Sequence, residues 1–207
     1  WRLGSYFLGA DNQGRDVMAR LLYGGLTSLL IAATATLLTL TLATILGLGG
    51  LFFSAVFCVS DAAIVTAARM FVGMQAGTGA PTDVEPSTLV NCFGVGARSA
   101  DTNLHILFGG SAAQTPVSLG ASFPCDTTNT DLYRVNFFSS SLENGIIYYE
   151  VARLNTTDVA TGTISGTVGT QVPAATTLLT TNNYRSNGGV ATAVGIDFSH
   201  IYIETEQ

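Results

Sequence analysis

From Leu21 to Ser60 the chain carries no charged residue, and its middle, Leu26 to Leu48, is almost wholly Leu, Ile, Ala and Thr. Such a run has two physical outlets. An uncharged apolar stretch of about 20 residues is long enough to cross a bilayer as a helix. The same text also carries Thr39, Thr41 and Thr44 interleaved with Leu40, Leu42 and Ile45, a partial period-2 alternation that suits a buried strand. The membrane helix is the first expectation. The positive-inside rule then keeps Arg15 and Arg20 in the cytoplasm and sends the rest outside. A cleaved signal peptide fits poorly, because the apolar run is too long and too far from the terminus.

Gly49–Gly50 ends the run, and the character of the chain changes there. Residues 1–50 and 51–207 are therefore read as separate parts, and Phe52 to Glu206 is expected to fold without residues 1–48. In the second part short apolar runs recur between turn-rich breaks. Strand expectations fall at Phe52–Val59, Phe71–Met74, Asn91–Val95, Leu104–Phe108, Val117–Leu119, Leu132–Phe138, Ile146–Leu154, Val159–Val168, Ala193–Phe198 and His200–Glu204. Asp61 to Met70 reads as a turn of helix or a continued strand. FGGSAAQTP, CDTTNTD, SSSLENG, LNTTD and TTNNYRSNGG read as breaks. Many short strands with frequent turns and little helix imply a mainly β fold, an antiparallel sandwich or barrel.

Two details sharpen that reading. Tyr133, Val135 and Phe137 share one face of their strand, and Arg134 and Asn136 share the other, as in a sheet with one wet face. IIYYEV, from Ile146 to Val151, pairs with it as a hairpin across SSSLENG. In the last segment Val194, Ile196 and Phe198 alternate, then Ile201 and Ile203 take the opposite parity, which calls for a bulge near Ser199–His200.

Charge and cysteine content narrow the function classes. Charged residues are 11% of the chain, against about 25% in a typical soluble domain. All 8 basic residues are Arg, and the formal net charge is −6. With no basic cluster to neutralise phosphates, nucleic acid is excluded as a partner. A surface so poor in charge favours association, and exposed sheet edges ask for cover. Cys58, Cys92 and Cys125 are widely spaced and form no C-x-x-C pair, so no zinc site is expected. Three buried thiols acting as small hydrophobes are expected, with one disulfide and a free thiol as the alternative.

The residue types that carry chemistry form no convincing constellation. His105 and His200 sit in separate strands, with Asp101 and Asp197 near them in sequence, and no metal site is expected. Ser199 beside His200 is not a triad, and no G-x-S-x-G elbow occurs. Glu143 and Glu150 are the one carboxylate pair a glycosidase might use, but one lies in a turn and the other in a strand. Asp126 to Asp131, DTTNTD, is oxygen-rich without EF-hand spacing. Gly94 and Gly96 do not open a helix, so no phosphate loop is implied. Asn155-Thr156-Thr157 is a glycosylation sequon. Tyr133, Tyr148, Tyr149, Tyr184 and Tyr202 are candidates for stacking on sugars or for packing. Catalytic, cofactor and metal residues are all expected to be absent, and the chain is read as not an enzyme.

Two stretches resemble known families. Leu8 to Gly25, LGADNQGRDVMARLLYGG, resembles the segment before an early membrane helix in permease subunits of dipeptide and oligopeptide importers. Leu8, Gly9, Asp11, Gly14, Arg15, Asp16, Val17, Arg20, Tyr23 and Gly24 carry the match, and Ala10 departs from the usual Thr. Further spanning helices and the Glu-Ala-Ala coupling loop are missing, so this resemblance implies ancestry or fusion, not transport. From Phe52 to Glu206, stretches such as ARMFVGMQ, FGVGA, DTNLHI, LGASFPCDT, YEVARLNT and AVGIDFSHIYIETE resemble a domain of tail-fibre-like virion proteins of tailed bacteriophages. That resemblance implies a lectin-like, jelly-roll type β-sandwich in a homotrimer, on a virion or outside the cell. Its implied partners are other virion proteins or a host surface glycan. A membrane-anchored extracellular β domain is the alternative.

Overall fold

The computed structural model describes residues 26, 28, 29, 32, 50–77, 79, 83–140 and 145–205. Chain contacts divide it into Trp1–Gly47 and Leu48–Gln207. In the first unit the four described positions, Leu26, Ser28, Leu29 and Ala32, are helical. The rest of the apolar run expected to be a helix or strand lies outside the described residues. Among the described residues no helix is long and apolar enough to cross a membrane.

The second unit is mainly β. Among the described residues ten strands form it: β1 (Leu51–Val59), β2 (Arg69–Gln75), β3 (Cys92–Ala97), β4 (His105–Gly109), β5 (Val117–Ser118), β6 (Leu132–Ser139), β7 (Ile146–Arg153), β8 (Val159–Ser165), β9 (Thr180–Ser186) and β10 (Ile196–Thr205). They make two five-stranded antiparallel sheets, in the orders β10-β1-β6-β7-β8 and β5-β4-β3-β2-β9. The sheets face each other across one apolar core, a β-sandwich. Phe53, Phe57, Tyr133, Val135 and Phe137 enter it from the first sheet, and Met70, Val72, Phe93, Val95 and Ile106 from the second. Phe93 and Phe137 meet across the gap with ring centroids 5.3 Å apart.

The alternation in β6 holds: Tyr133, Val135 and Phe137 are buried, while Leu132, Arg134 and Phe138 are exposed. β6 and β7 pair as the expected hairpin, with Val135 opposite Val151. The parity slip in the last strand is also present. Phe57 faces Phe198 but Val56 faces His200, so Ser199 is the extra residue of a bulge. The slip lets Phe198 and then Ile201 both point to the inner side, which no unbroken strand allows.

Three expectations are corrected. TTNNYRSNGG was expected to be a turn, yet Thr180–Ser186 is β9, an edge strand paired with β2. Its burial rests mainly on Tyr184, and an edge strand with so few buried side chains shows no apolar alternation to read. Ala193–Phe198 and His200–Glu204 were expected as two strands but meet in one, β10, which begins at Ile196, since a bulge bends a ladder without ending it. Asp61 to Ala68 is neither helix nor strand but a run of bends and turns, and β2 starts at Arg69.

Candidate functional site

The outer faces of the two sheets differ. On the second sheet, Phe71, Cys92, Leu107 and Tyr184 form a small buried cluster beneath Leu89. Leu89 follows the short 3-10 helix Pro86–Thr88. Gly73 pairs with Gly94 in the same face, and a Cβ on Gly94 would sit 2.6 Å from the Val72 carbonyl oxygen. These glycines, including the sequence candidates Gly94 and Gly96, serve close packing within the sheet and hold no ligand loop.

The outer face of the first sheet instead presents large side chains to solvent. Register places Phe52 beside Phe138, Phe138 beside Tyr148, and Tyr202 beside Ser54. Phe138 is 46% exposed, Tyr202 44% and Tyr148 39%. Phe138 and Tyr148 stack with centroids 6.4 Å apart, and Phe52 and Tyr202 lie 6.1 Å apart. This aromatic band crosses four adjacent strands, a span of about 14 Å at ~4.8 Å per strand spacing.

Two residues along the strands from Phe52, Phe138 and Tyr148, about 7 Å away, runs a polar row that continues from Tyr202 across Ser54. Ser54 Oγ donates to Asn136 Oδ1 at 2.8 Å, Asn136 Nδ2 donates to Glu150 Oε1 at 3.2 Å, and the Arg134 guanidinium donates to the same oxygen at 3.3 Å. The Arg134 and Glu150 side chains are 45% and 41% exposed, so both keep capacity for a ligand's hydroxyls. At the β10 end the Tyr202 hydroxyl donates to Glu204 Oε2 at 3.1 Å, and that bond, with the carboxylate's charge, holds the phenol pKa above its usual value.

The remaining sequence candidates serve the frame. Asp61, just past β1, takes the Arg185 Nε at 2.9 and 3.1 Å, and both side chains are 2% exposed. Asp131 receives Arg153 on both oxygens, at 2.8 and 2.9 Å, and also the Asn155 amide. Asp126 lies 3.3 Å from Arg185. The DTTNTD loop thus directs both its carboxylates to protein cations. His105 Nδ1 lies 2.9 Å from the Asn103 carbonyl and 3.3 Å from Asp101, on the second sheet. His200 stacks on Tyr202 on the first, where Asp197 faces Cys58. Among the described residues no group of three metal-binding side chains occurs. Glu143 lies outside the described residues, so its pairing with Glu150 is not described. Tyr133 is buried and donates to the Pro124 carbonyl at 2.6 Å, Tyr149 packs on the core, and Tyr184 covers the second sheet. Of the five tyrosines, Tyr148 and Tyr202 reach the open face. The sequence places Asn136 on the wet face of β6 without giving it a role, and Phe52 and Phe138 carry no signal there beyond the outward parity of their strands. Cys58, Cys92 and Cys125 are all free thiols, the latter two buried.

A cavity of about 600 Å³ opens at one end of the sandwich, lined by Leu51, Met74, Phe93, Ile147, Val172 and Leu179 among others. Among the described residues its lining holds no ionisable side chain, and its polar side chains are the hydroxyls of Ser139, Ser140, Thr177, Thr180 and Thr205.

No protein-family model matches the sequence, and no curated protein matches it. Solved structures do. Scytalido-glutamic peptidase with a transition-state analog inhibitor matches at TM-score 0.46 and 10% identity, over 75% of this chain and 78% of that one. SCP-B, an eqolisin-family peptidase in complex with the tripeptide Ala-Ile-His, matches at TM-score 0.37 and 12% identity, over 73% and 72%. These neighbours are enzymes, and on that finding the expectation that the chain is not an enzyme is withdrawn. At such identities and TM-scores the likeness assigns no reaction to this chain.

Proposed function

We propose that this chain is an adhesive β-sandwich of lectin-like, jelly-roll type that recognises a surface glycan through the outer face of its first sheet. The observation that carries the reading is the aromatic band of exposed Phe138, Tyr148 and Tyr202 with half-buried Phe52, lying beside the polar row Asn136, Glu150 and Arg134. A pyranose has the matching chemistry. Its flat C–H face is apolar and stacks on an aromatic ring, while its hydroxyls both donate and accept at the ring's edge. Exposed aromatic patches of this kind mark interaction surfaces rather than ordinary solvent-facing sheet. The band has the length of a short oligosaccharide. Setting the domain on a phage particle, where it would meet host glycans and other virion proteins, rests on the resemblance to tail-fibre-like proteins.

The test is a microarray of bacterial surface oligosaccharides, followed by calorimetric titration with the best-retained sugar. Phe138→Ala and Tyr148→Ala should each weaken binding at least about tenfold, equivalent to ~1.4 kcal/mol. Asn136→Ala should do the same by removing hydrogen bonds. Circular dichroism should show each variant folded, because the side chains point away from the core. If no sugar is retained, or the aromatic variants bind as well as wild type, the reading is wrong.

A further inference from the structure

β10 is an edge strand of unusual character. Among the described residues it pairs with β1 alone, and from Ser199 to Thr205 every residue is exposed. Ile201 and Ile203 point to the inner side, opposite Ala55 and Phe53, yet they are 42% and 40% exposed. The second sheet does not reach far enough to cover them. A long edge with apolar side chains and free backbone groups is a template for strand pairing, and monomeric proteins normally blunt such edges with charge, proline or a covering segment.

We infer that β10 pairs antiparallel with β10 of a second copy about a two-fold axis through Tyr202. A two-fold axis perpendicular to a sheet keeps outward residues on the outward side, so the register must centre on a residue. Centred on Tyr202, the strand is complementary to itself. His200 lies opposite Glu204 of the other copy, twice. Ile201 lies opposite Ile203, also twice, and the two Tyr202 rings meet at the axis. The imidazole donates to the free oxygen of Glu204, whose other oxygen already accepts the Tyr202 hydroxyl. On the inner side four isoleucines cover one another. A shift of the axis by one residue toward the N-terminus puts Phe198 against Glu204 and Ser199 against Ile203. The opposite shift puts Ile201 against Thr205. Neither keeps both the polar and the apolar matches, and cross-strand pairs are what stabilise an antiparallel ladder.

The partner is therefore a second copy of this chain, in an isologous interface that closes at two. The family resemblance implies three copies; this edge satisfies two. Pairing would join the two first sheets into one continuous surface. The two β6 strands, with their Phe138 and Asn136 residues, would lie five strand spacings apart, about 24 Å. Two such faces on one rigid sheet would bind a repeating surface ligand multivalently. The pairing itself stands on the edge alone, whether or not the ligand is a glycan.

The experiment uses the full chain with Cys58→Ser as background. Tyr202→Cys should give a covalent dimer on mild oxidation, because the two positions meet at the axis. Ser199→Cys should not, because its counterpart lies across from Thr205 at the far end of the ladder. Light scattering on the wild-type chain should give twice the 21.5 kDa chain mass, and Ile201→Lys with Ile203→Lys should give a folded monomer by circular dichroism. His200→Glu and Glu204→Lys should each weaken the dimer at least tenfold alone, and the two variants mixed should re-form it, since one facing pair is then Glu with Lys and the other is the wild-type His with Glu. A wild-type monomer, a trimer, Tyr202→Cys that does not cross-link, or equal cross-linking through Ser199→Cys would overturn the proposal. Loss of glycan binding with the dimer intact would sink the glycan reading and leave this one standing.

Discussion

Replacing Arg185 by Met tests the buried clasp that ties the sandwich together. Arg185 lies on β9 in the second sheet and Asp61 just past β1 in the first. Two hydrogen bonds from the Arg185 Nε, at 2.9 and 3.1 Å, join them. Asp61 also accepts the Gly195 backbone N–H at 2.7 Å, just before β10 begins. Met keeps the unbranched stem but removes the charge, leaving the Asp61 carboxylate 2% exposed with no cation. Breaking a buried pair from one side costs about 3–5 kcal/mol. For a domain of this size that is a fall of roughly 6–20 °C in melting temperature, at ~2–4 °C per kcal/mol. Asp61→Leu alone should cost a similar amount, because the buried guanidinium then keeps only Asp126, 3.3 Å away and 29% exposed, and the Gly195 N–H loses its acceptor. Together the two substitutions leave only the Asp126 carboxylate, 29% exposed, at the contact. What remains is chiefly the orphaned Gly195 N–H, about 1–3 kcal/mol. The double variant should therefore be at least about 3 kcal/mol more stable than the sum of the singles predicts, a coupling that urea unfolding of all four proteins measures. If Arg185→Met costs under about 1 kcal/mol, or the double variant equals the sum, the clasp is not what holds the sheets in register.

Three further outcomes follow from particular contacts. Phe137→Ala empties a site packed by Phe53, Phe93 and Tyr149 and should cost about 3–5 kcal/mol in chemical unfolding; a loss under 1 kcal/mol would mean the two sheets do not meet there. For Asp101 and Glu85, burial alone would raise the carboxyl pKa, but hydrogen bonds from Arg98 to Asp101 and from Ser99 to Glu85 outweigh it and hold both below their usual values. Each carboxylate is thus favoured by folding, so its contribution is complete above the unfolded value near ~4 and is lost as pH falls through the lower folded value. Melting temperature should hold from pH 7 to about 5 and drop below about 4, and Asp101→Asn should flatten that drop; an unchanged acid limb in the variant would count against it. Burial pushes the Cys92 and Cys125 thiols up to about 12, so iodoacetamide at pH 8 should modify at most the partly exposed Cys58 in the native protein and all three in urea, as counted by mass spectrometry; native labelling of Cys92 would contradict its burial.

Much of the frame was legible in the text because strand alternation has a period of two, and period is a local property. Tyr133, Val135 and Phe137 announced the inner face of β6, IIYYEV announced its hairpin partner, and the change of parity between Phe198 and Ile201 announced the bulge at Ser199. β9 was not legible, because its place is set by backbone pairing with β2 and by one buried tyrosine, and backbone hydrogen bonds leave no mark on residue choice. Nor was the open face. Phe52, Asn136, Tyr148, Glu150 and Tyr202 span 150 positions of sequence, and no local pattern says that β10 returns to lie beside β1 or that β1 lies beside β6. Sequence by itself determined which way each side chain faces along its own strand. Tertiary structure decided which strands became neighbours and which outer face stayed uncovered, because pairing across long loops is fixed by how the whole apolar core closes.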